Sequence, residues 1–184
     1  ALNGAVKNHG MDESEAKQRR AIILFERARE TDGSGEAASA LPIARKALQQ
    51  DATFIPARLL AAKLLSATGK RLRAERLLKD GWTAGPHPDL IAAWGALEAD
   101  ASPTARYKGL ERLIDSTPRN AEALYALGEH ALAAELPGPA RGHVEALIDS
   151  APSARAYRLL ADIETKVGNE EAAEAARAKL GTAL

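Results

Sequence analysis

Apolar residues recur along this chain at helical spacing, in short blocks separated by glycine, proline or a polar capping residue. The blocks themselves repeat. Small residues inside the first block of each candidate unit fall at Ala28, Ala62, Ala96, Gly128 and Ala161, in steps of 34, 34, 32 and 33. Residues closing each unit fall at Ala52, Pro86, Pro118 and Pro152, in steps of 34, 32 and 34. A third column opens the second block of each unit: Ala40, Ala74, Ala105 or Arg106, Ala140 and Ala173. Later in that block come Ala47, Gly81, Leu113, Leu147 and Leu180. The columns keep one period, so each unit is a pair of amphipathic helices.

The punctuation agrees with the period. Asp12 and Glu15 have capping-box spacing ahead of the first long block. Gly69 and Gly168 stand where a C′ glycine closes a first helix. Ser102 before Pro103 reads as N-cap and first helical residue, and Asn120 and Ser153 are good N-caps. These signals predict helices near 12–31, 36–50, 54–68, 71–84, 88–99, 103–116, 120–134, 138–150, 153–167 and 170–180. None is long enough to be stable alone in water, so stability must come from packing one on another. Pro42 falls inside the second helix, which is expected to kink there or start late.

A helix–turn–helix unit of this length, with small residues in these slots and proline at its end, resembles the tetratricopeptide repeat. The unit "NAEALYALGEHALAAELPGPARGHVEALIDSAP" fits best, with Leu124, Leu127, Gly128, Ala140, Leu147 and Pro152 in the motif's slots. The motif's first-helix tryptophan slot holds Leu24, Arg58, Ala92, Leu124 and Tyr157 instead, and the third unit is two residues short, a deficit assigned to its turn. The resemblance implies an all-α fold, a right-handed α-solenoid of about five helix pairs. Its units lie near 12–52, 53–86, 87–118, 119–152 and 153–184, after residues 1–11 that end a preceding helix or form a linker.

Composition narrows the function. Hydrophobic residues make up 46% of the chain but aromatic ones only 4%, which favours helices and argues against sheet. Lysine and arginine, 25 together, equal aspartate and glutamate, and zero net charge lacks the basic footprint of a nucleic-acid-binding protein. With no cysteine there is no disulfide, no thiolate nucleophile and no cysteine-based zinc cage. No apolar run approaches the ~20 residues needed to span a bilayer.

The order of segments carries a closer resemblance. "RRAIILFERARE", then "IPARLLAAKLLSATGKRLRAERLLKDGWTAGPHPDLIAAW", then "RAYRLLADIETKVGN" resembles the carboxy-terminal part of bacterial HemY-type proteins, tetratricopeptide proteins associated with heme biosynthesis. The resemblance implies a parent protein held in a bacterial inner membrane by amino-terminal helices that precede this region. This region would then lie on the cytoplasmic side and scaffold or regulate late heme-biosynthesis enzymes. A tetrapyrrole carrier is the alternative, with porphyrin or heme stacked on Trp94 or Tyr125 and its propionates held by Arg29, Arg155 or Arg158.

Catalytic chemistry has no constellation to rest on, and the chain reads as a non-enzyme without cofactor or metal. Neither G-x-G-x-x-G, H-E-x-x-H nor G-x-S-x-G occurs. Of the histidines His9, His87, His130 and His143, His87 lies between Pro86 and Pro88 and reads as a turn or N-cap residue rather than a ligand. His130 and His143 belong to the two helices of one unit and are candidate neighbours. Glu170 and Glu171 sit in a first turn, where they complement the helix dipole. The run Lys70, Arg71, Arg73, Arg76 and Lys79 is a solvated helix face, or a surface for anionic lipid or an acidic partner.

Solenoids bind partners on the concave face, lined in this repeat by the first helix of each unit. Motif spacing places Ile22, Phe25 and Arg29, then Leu59 and Lys63, then Ala93, Trp94 and Leu97 there. Glu122, Tyr125 and Glu129, then Arg155, Arg158 and Asp162 complete the row. The candidate partner-binding residues are therefore Arg29, Lys63, Trp94, Leu97, Tyr125, Glu129, Arg155, Arg158 and Asp162, with Trp94 and Tyr125 as anchors. The expected occupant is a protein. The lysine–asparagine–arginine set with which some relatives of this repeat clamp a chaperone's terminal carboxylate does not occupy those slots.

Overall fold

A computed structural model describes residues 12–115 and 119–181. Residues 1–11 and Pro118 lie outside the described residues, so the expectations for them do too. Among the described residues ten helices follow in order: α1 Glu13–Gly33, α2 Ala37–Gln50, α3 Ile55–Ala67, α4 Arg71–Ala84, α5 Pro88–Leu97, α6 Pro103–Ile114, α7 Ala121–Ala133, α8 Pro137–Ser150, α9 Ala154–Lys166 and α10 Glu170–Ala178. No strand occurs among the described residues. The all-α architecture of paired helices is the one the period predicts.

The chain forms two compact units that divide between Leu97 and Glu98, inside the third sequence repeat. In the first unit α1 to α5 pack each on the next, and the first helices of successive repeats, α1, α3 and α5, also pack in a row. In the second unit α6 to α10 pack each on the next, and α7 packs on α9. The row of first helices lies along one side of each unit, and the candidate binding residues belong to it.

Small residues make these contacts possible. Ala28, Ala44 and Ala61 form a solvent-free cluster with Leu41, Ile43, Leu48, Leu60 and Leu77 packed around it. Leu124, Leu147 and Ala156 play the same part in the second unit. Ala40, Ala74, Ala140 and Ala173, the column that opens each second helix, are all fully buried. At Gly128 a Cβ would lie 2.7 Å from Val144 Cγ2 on α8 and 3.2 Å from Leu159 Cδ2 on α9, so only hydrogen fits.

Most of the expected punctuation holds. Ser102, Asn120, Ser153 and Asn169 each accept a hydrogen bond from the backbone N–H three residues on. Asp12 is the N-cap of α1, but its side chain makes no capping hydrogen bond, so the capping box does not close. Pro42 neither delays nor interrupts α2. It sits on the exposed side, as does Ala38, whose carbonyl can turn to water in place of the missing N–H.

Four first helices end in the same Schellman motif. After α3, the N–H groups of Gly69 and Lys70 donate to the carbonyls of Ser66 and Leu65. Gly35 with Glu36, Glu135 with Leu136, and Gly168 with Asn169 repeat this pair of bonds. The C′ residue must be left-handed, and Gly35, Gly69 and Gly168 have φ of 83°, 72° and 79°. Glu135 adopts φ 60° in the same slot without being glycine.

The third repeat departs from the expected register. Its first helix, α5, has 10 residues where α3, α7 and α9 have 13, so the shortening falls on the helix and not on the turn. Ala96, expected in the small-residue column, is exposed. Reading the column through Gly95 gives steps of 34, 33, 33 and 33 and aligns Trp94 with the fully buried Leu127. Arg106, not the exposed Ala105, takes the alanine slot of the second helix. Its guanidinium donates to the carbonyls of Glu98, Ala99 and Ala101, closing a turn that has no C′ glycine.

The strain at Glu135 can be removed without touching a contact. A left-handed non-glycine residue costs roughly 1–2 kcal/mol, and glycine's greater freedom when unfolded returns part of that. Glu135→Gly is therefore expected to stabilise the protein by about 0.5–1 kcal/mol. Urea unfolding should show a higher midpoint; a lower one would mean that the side chain, not the backbone, governs that turn.

Candidate functional site

The row of first helices carries different chemistry in the two units. In the first, Arg29 of α1 is exposed and donates from Nε and Nη2 to Glu26 Oε2, at 3.0 and 2.7 Å. Lys63 of α3 reaches Asp32 of α1 at 2.8 Å, so this cation ties neighbouring first helices together. Phe25 packs edge-to-face on Phe54 with ring centroids 5.5 Å apart, which occupies it within the fold. Leu97 is half-buried at the end of α5.

Trp94 does not serve as an exposed anchor. It is 5% exposed, and its indole N–H has no hydrogen-bond partner among the described residues. The one-residue change of register explains this, since it aligns Trp94 with Leu127, which lies fully buried in the packing layer. An aromatic residue there fills space between helices.

In the second unit the expected residues come together. Tyr125 of α7 is half-buried, and the Arg155 guanidinium of α9 lies over its ring, 4.2 Å from the centroid. Arg155 Nη2 also donates to Glu122 Oε1 at 2.7 Å. Glu129, one turn further along α7, is near enough to raise the pKa of the Tyr125 phenol. Arg158 lies close enough to favour the ionised phenol, as Arg155 does. Arg158 and Asp162 are exposed, each about one turn from the next along α9. Helical spacing brings these groups to one face, and the packing of α7 on α9 brings the two helices' contributions side by side. The result is an aromatic ring held rigidly beneath a cation, bordered by both signs of charge.

The electrostatics follow from that arrangement. Burial is the largest influence on Tyr125 and pushes its phenol pKa up; the nearby Glu129 carboxylate adds to it, while Arg155 and Arg158 oppose it. Neither Tyr125 nor Trp94 presents the open ring that porphyrin stacking needs, since Arg155 covers one face of Tyr125 and Trp94 is buried. Arg29 and Arg155, candidates for holding propionates, are paired with Glu26 and Glu122.

The histidines have structural partners. The Asp89 N–H donates to His87 Nδ1 at 3.2 Å, so His87 caps the start of α5, as the two flanking prolines suggest. His130 Nδ1 bonds the Ala126 carbonyl within α7 at 2.9 Å. His143 pairs through Nε2 with the Tyr107 hydroxyl at 3.0 Å, so His130 and His143 do not bond each other. Burial first, then Arg119, lowers the His143 pKa, and burial is the main cause raising that of Tyr107 to about 12. No group of three potential metal ligands forms among the described residues.

Two buried charge sites escaped the sequence pattern. Arg58 occupies the motif's tryptophan slot and donates to the carbonyls of Leu77 at 2.8 Å and Ala52 at 2.5 Å. A Cβ at Gly81 would collide with its side chain. Glu164 of α9 is buried and accepts two bonds from Arg141 of α8, at 2.5 and 2.8 Å. The Arg141 hydrogen bond is the main cause holding the Glu164 carboxyl below its usual pKa. For Arg58 the facing Gly81 was the available signal, but it appears only once the two helices are paired.

Comparisons with known proteins agree with this geometry. Residues 33–100 match the tetratricopeptide repeat family. That stretch carries tetratricopeptide repeats. Over 132 residues it is 35% identical to the probable magnetosome protein Mms48 of Magnetospirillum gryphiswaldense, which covers 72% of this chain. The chain spans 29% of that relative's length. In structure it is similar to YrrB, described as a TPR protein with an unusual peptide-binding site, with 20% identity and a TM-score of 0.52 over 98% of this chain and 90% of that one. It is also similar to MamA from Desulfovibrio magneticus RS-1, with 16% identity and a TM-score of 0.54 over 89% and 94% of the two chains. Such distant structural likeness shows the fold. The relative found by sequence is a probable magnetosome protein, and nothing in these comparisons supports the HemY-type affiliation or a heme-biosynthesis role.

The Tyr125 cluster can be read by titration. A phenol whose folded pKa is raised favours the fold below its unfolded value near ~10 and loses that contribution as pH climbs through the folded value. Tyr125, assigned through Tyr125→Phe in NMR spectra, should ionise above the ordinary tyrosine range. Glu129→Gln should bring the transition down, and Arg155→Gln should move it further up. An ordinary transition indifferent to both changes would mean that the cluster is not assembled in solution.

Proposed function

We propose that this chain is a non-catalytic protein-binding module whose contact surface in the second unit is the α7–α9 face. The observation that carries the reading is the Arg155–Tyr125 pair, a cation over a half-buried ring, with Glu122 fixing the guanidinium. Rigid aromatic and arginine side chains lose little freedom on binding and are the types that dominate interface energies. Arg158, Glu129 and Asp162 border the pair and set charge complementarity. Arg29 and Lys63 give the first unit's row a polar surface of its own. We propose further that the parent protein works at a bacterial inner membrane and presents this module on the cytoplasmic side. Fractionation of the full-length parent tests that placement separately. The chemistry of the face is the same whether the partner belongs to magnetosomes or to another membrane-associated assembly.

A quantitative capture experiment tests the binding face. With the chain immobilised and cell extract from its source as the analyte, Tyr125→Ala combined with Arg158→Ala should weaken capture of the retained protein about thirtyfold, a hot-spot loss of about 2 kcal/mol. The helical circular dichroism should be unchanged. Exposed charges such as Asp162 should alter salt dependence more than affinity. Capture at full strength by the double variant would place the binding surface elsewhere.

A further inference from the structure

The first unit has a concavity formed mainly by its second helices, α2 and α4. Arg45 from α2 and Arg73, Arg76 and Asp80 from α4 surround it, and Leu65 and Leu77 contribute apolar surface. Its volume is about 320 Å³, room for one or two side chains of a partner segment. Most arginines considered above are already committed: Arg29, Arg58, Arg141 and Arg155 bind carboxylates or carbonyls of this chain. Arg45, Arg73 and Arg76 differ. All three are exposed, and none of their side chains makes an ion pair, hydrogen bond or ring contact among the described residues.

Like charges gathered around one concavity repel, and the fold gains nothing from holding them together. With Asp80 the lining sums to two positive charges, from three arginines against one aspartate. Guanidinium forks match carboxylates in pairs of parallel hydrogen bonds. The apolar lining adds a requirement that a simple anion does not meet, since Leu65 and Leu77 can bury a hydrocarbon group. One turn before Arg76 on α4, Leu72 stands 80% exposed and extends the apolar surface beyond the concavity. A concavity with these linings accepts a projecting segment better than a flat bilayer surface.

We propose that this concavity is a docking site for an acidic peptide segment in which glutamate or aspartate alternates with apolar side chains. Arg45, Arg73 and Arg76 take its carboxylates, and Leu65, Leu77 and Leu72 take its apolar groups. Asp80 repels a carboxylate at one end and so sets the register of the segment. The site lies apart from the α7–α9 face and stands or falls independently of it.

The test uses the full chain and a short fluorescein-labelled peptide of glutamates interspersed with leucines. A second peptide has every glutamate replaced by glutamine. In fluorescence anisotropy the acidic peptide should bind, weaken as salt is raised, and outcompete the glutamine peptide by about tenfold or more. Arg73→Gln with Arg76→Gln should weaken it at least tenfold, and adding Arg45→Gln should abolish binding. The helical spectrum and melting should be unchanged, because these arginines hold nothing in the fold. Arg155→Gln should leave the peptide bound. Binding that survives the triple variant, or is lost with Arg155→Gln instead, overturns the proposal. So does equal binding of the glutamine peptide. Phosphatidylserine vesicles bound through the same arginines, with the peptide ignored, would make the site a lipid contact and overturn it as well.

Discussion

The close approach of helices through alanine and glycine is the constraint on which the rest of this structure depends. Helices of 9–14 residues, as all but α1 are, cannot persist alone, so each must bury a face against the next. With few aromatic residues to fill wide gaps, the gaps themselves must be narrow. The buried column Ala40, Ala74, Ala140 and Ala173, and Gly128 facing Val144 and Leu159, keep them so. Close packing of α7 on α9 in turn brings Arg155 over Tyr125 and within reach of Glu122. The candidate binding face is thus a consequence of helix spacing as much as of residue choice.

Charged side chains enter this packing where glycine makes room. Gly81 faces the stem of Arg58, and Gly109 faces the carboxylate of Glu98. In each case the second helix of the pair gives up a side chain so that an ionisable group can lie in the layer. Arg58 then spends its guanidinium on backbone carbonyls; Glu164, which no glycine faces, instead receives a bidentate arginine. A buried charge is tolerated when hydrogen bonds replace the lost water, and removal of one partner is costly. Arg29, Lys63, Arg141 and Arg155 are paired within the chain and support the fold, whereas Arg45, Arg73 and Arg76 are among the surface cations that are not.

Helices and their ends were legible because period and capping are local properties. Every helix fell within two residues of its expected bounds, and the C′ glycines at Gly69 and Gly168 were visible as punctuation. The Tyr125 cluster was legible too, since motif spacing alone puts Tyr125 and Arg155 on facing helices. Trp94 was misplaced for a specific reason: Gly95 and Ala96 are both small, and the choice between them turns the helix by one residue. That step moves the tryptophan from the surface row into the packing layer. Arg58 with Gly81, and Arg141 with Glu164, join residues 23 apart in sequence, and nothing short of the paired helices announces them. The HemY-type resemblance rests on segment order and one connector, and the comparisons support only its coarser part, the tetratricopeptide repeat.

Equilibrium urea unfolding of a matched set of leucine substitutions tests the central claim most directly. Ala74→Leu and Gly128→Leu place a large side chain where helices meet, while Ala92→Leu places the same side chain on the exposed side of α5. Leucine and alanine are both good helix formers, so propensity separates the two alanine sites little. The first two should lose roughly 1–3 kcal/mol through overpacking, and the third should stay within about 0.5 kcal/mol of the parent. Equal midpoints for all three would mean that close helix contact at the small-residue columns is not what holds the fold together.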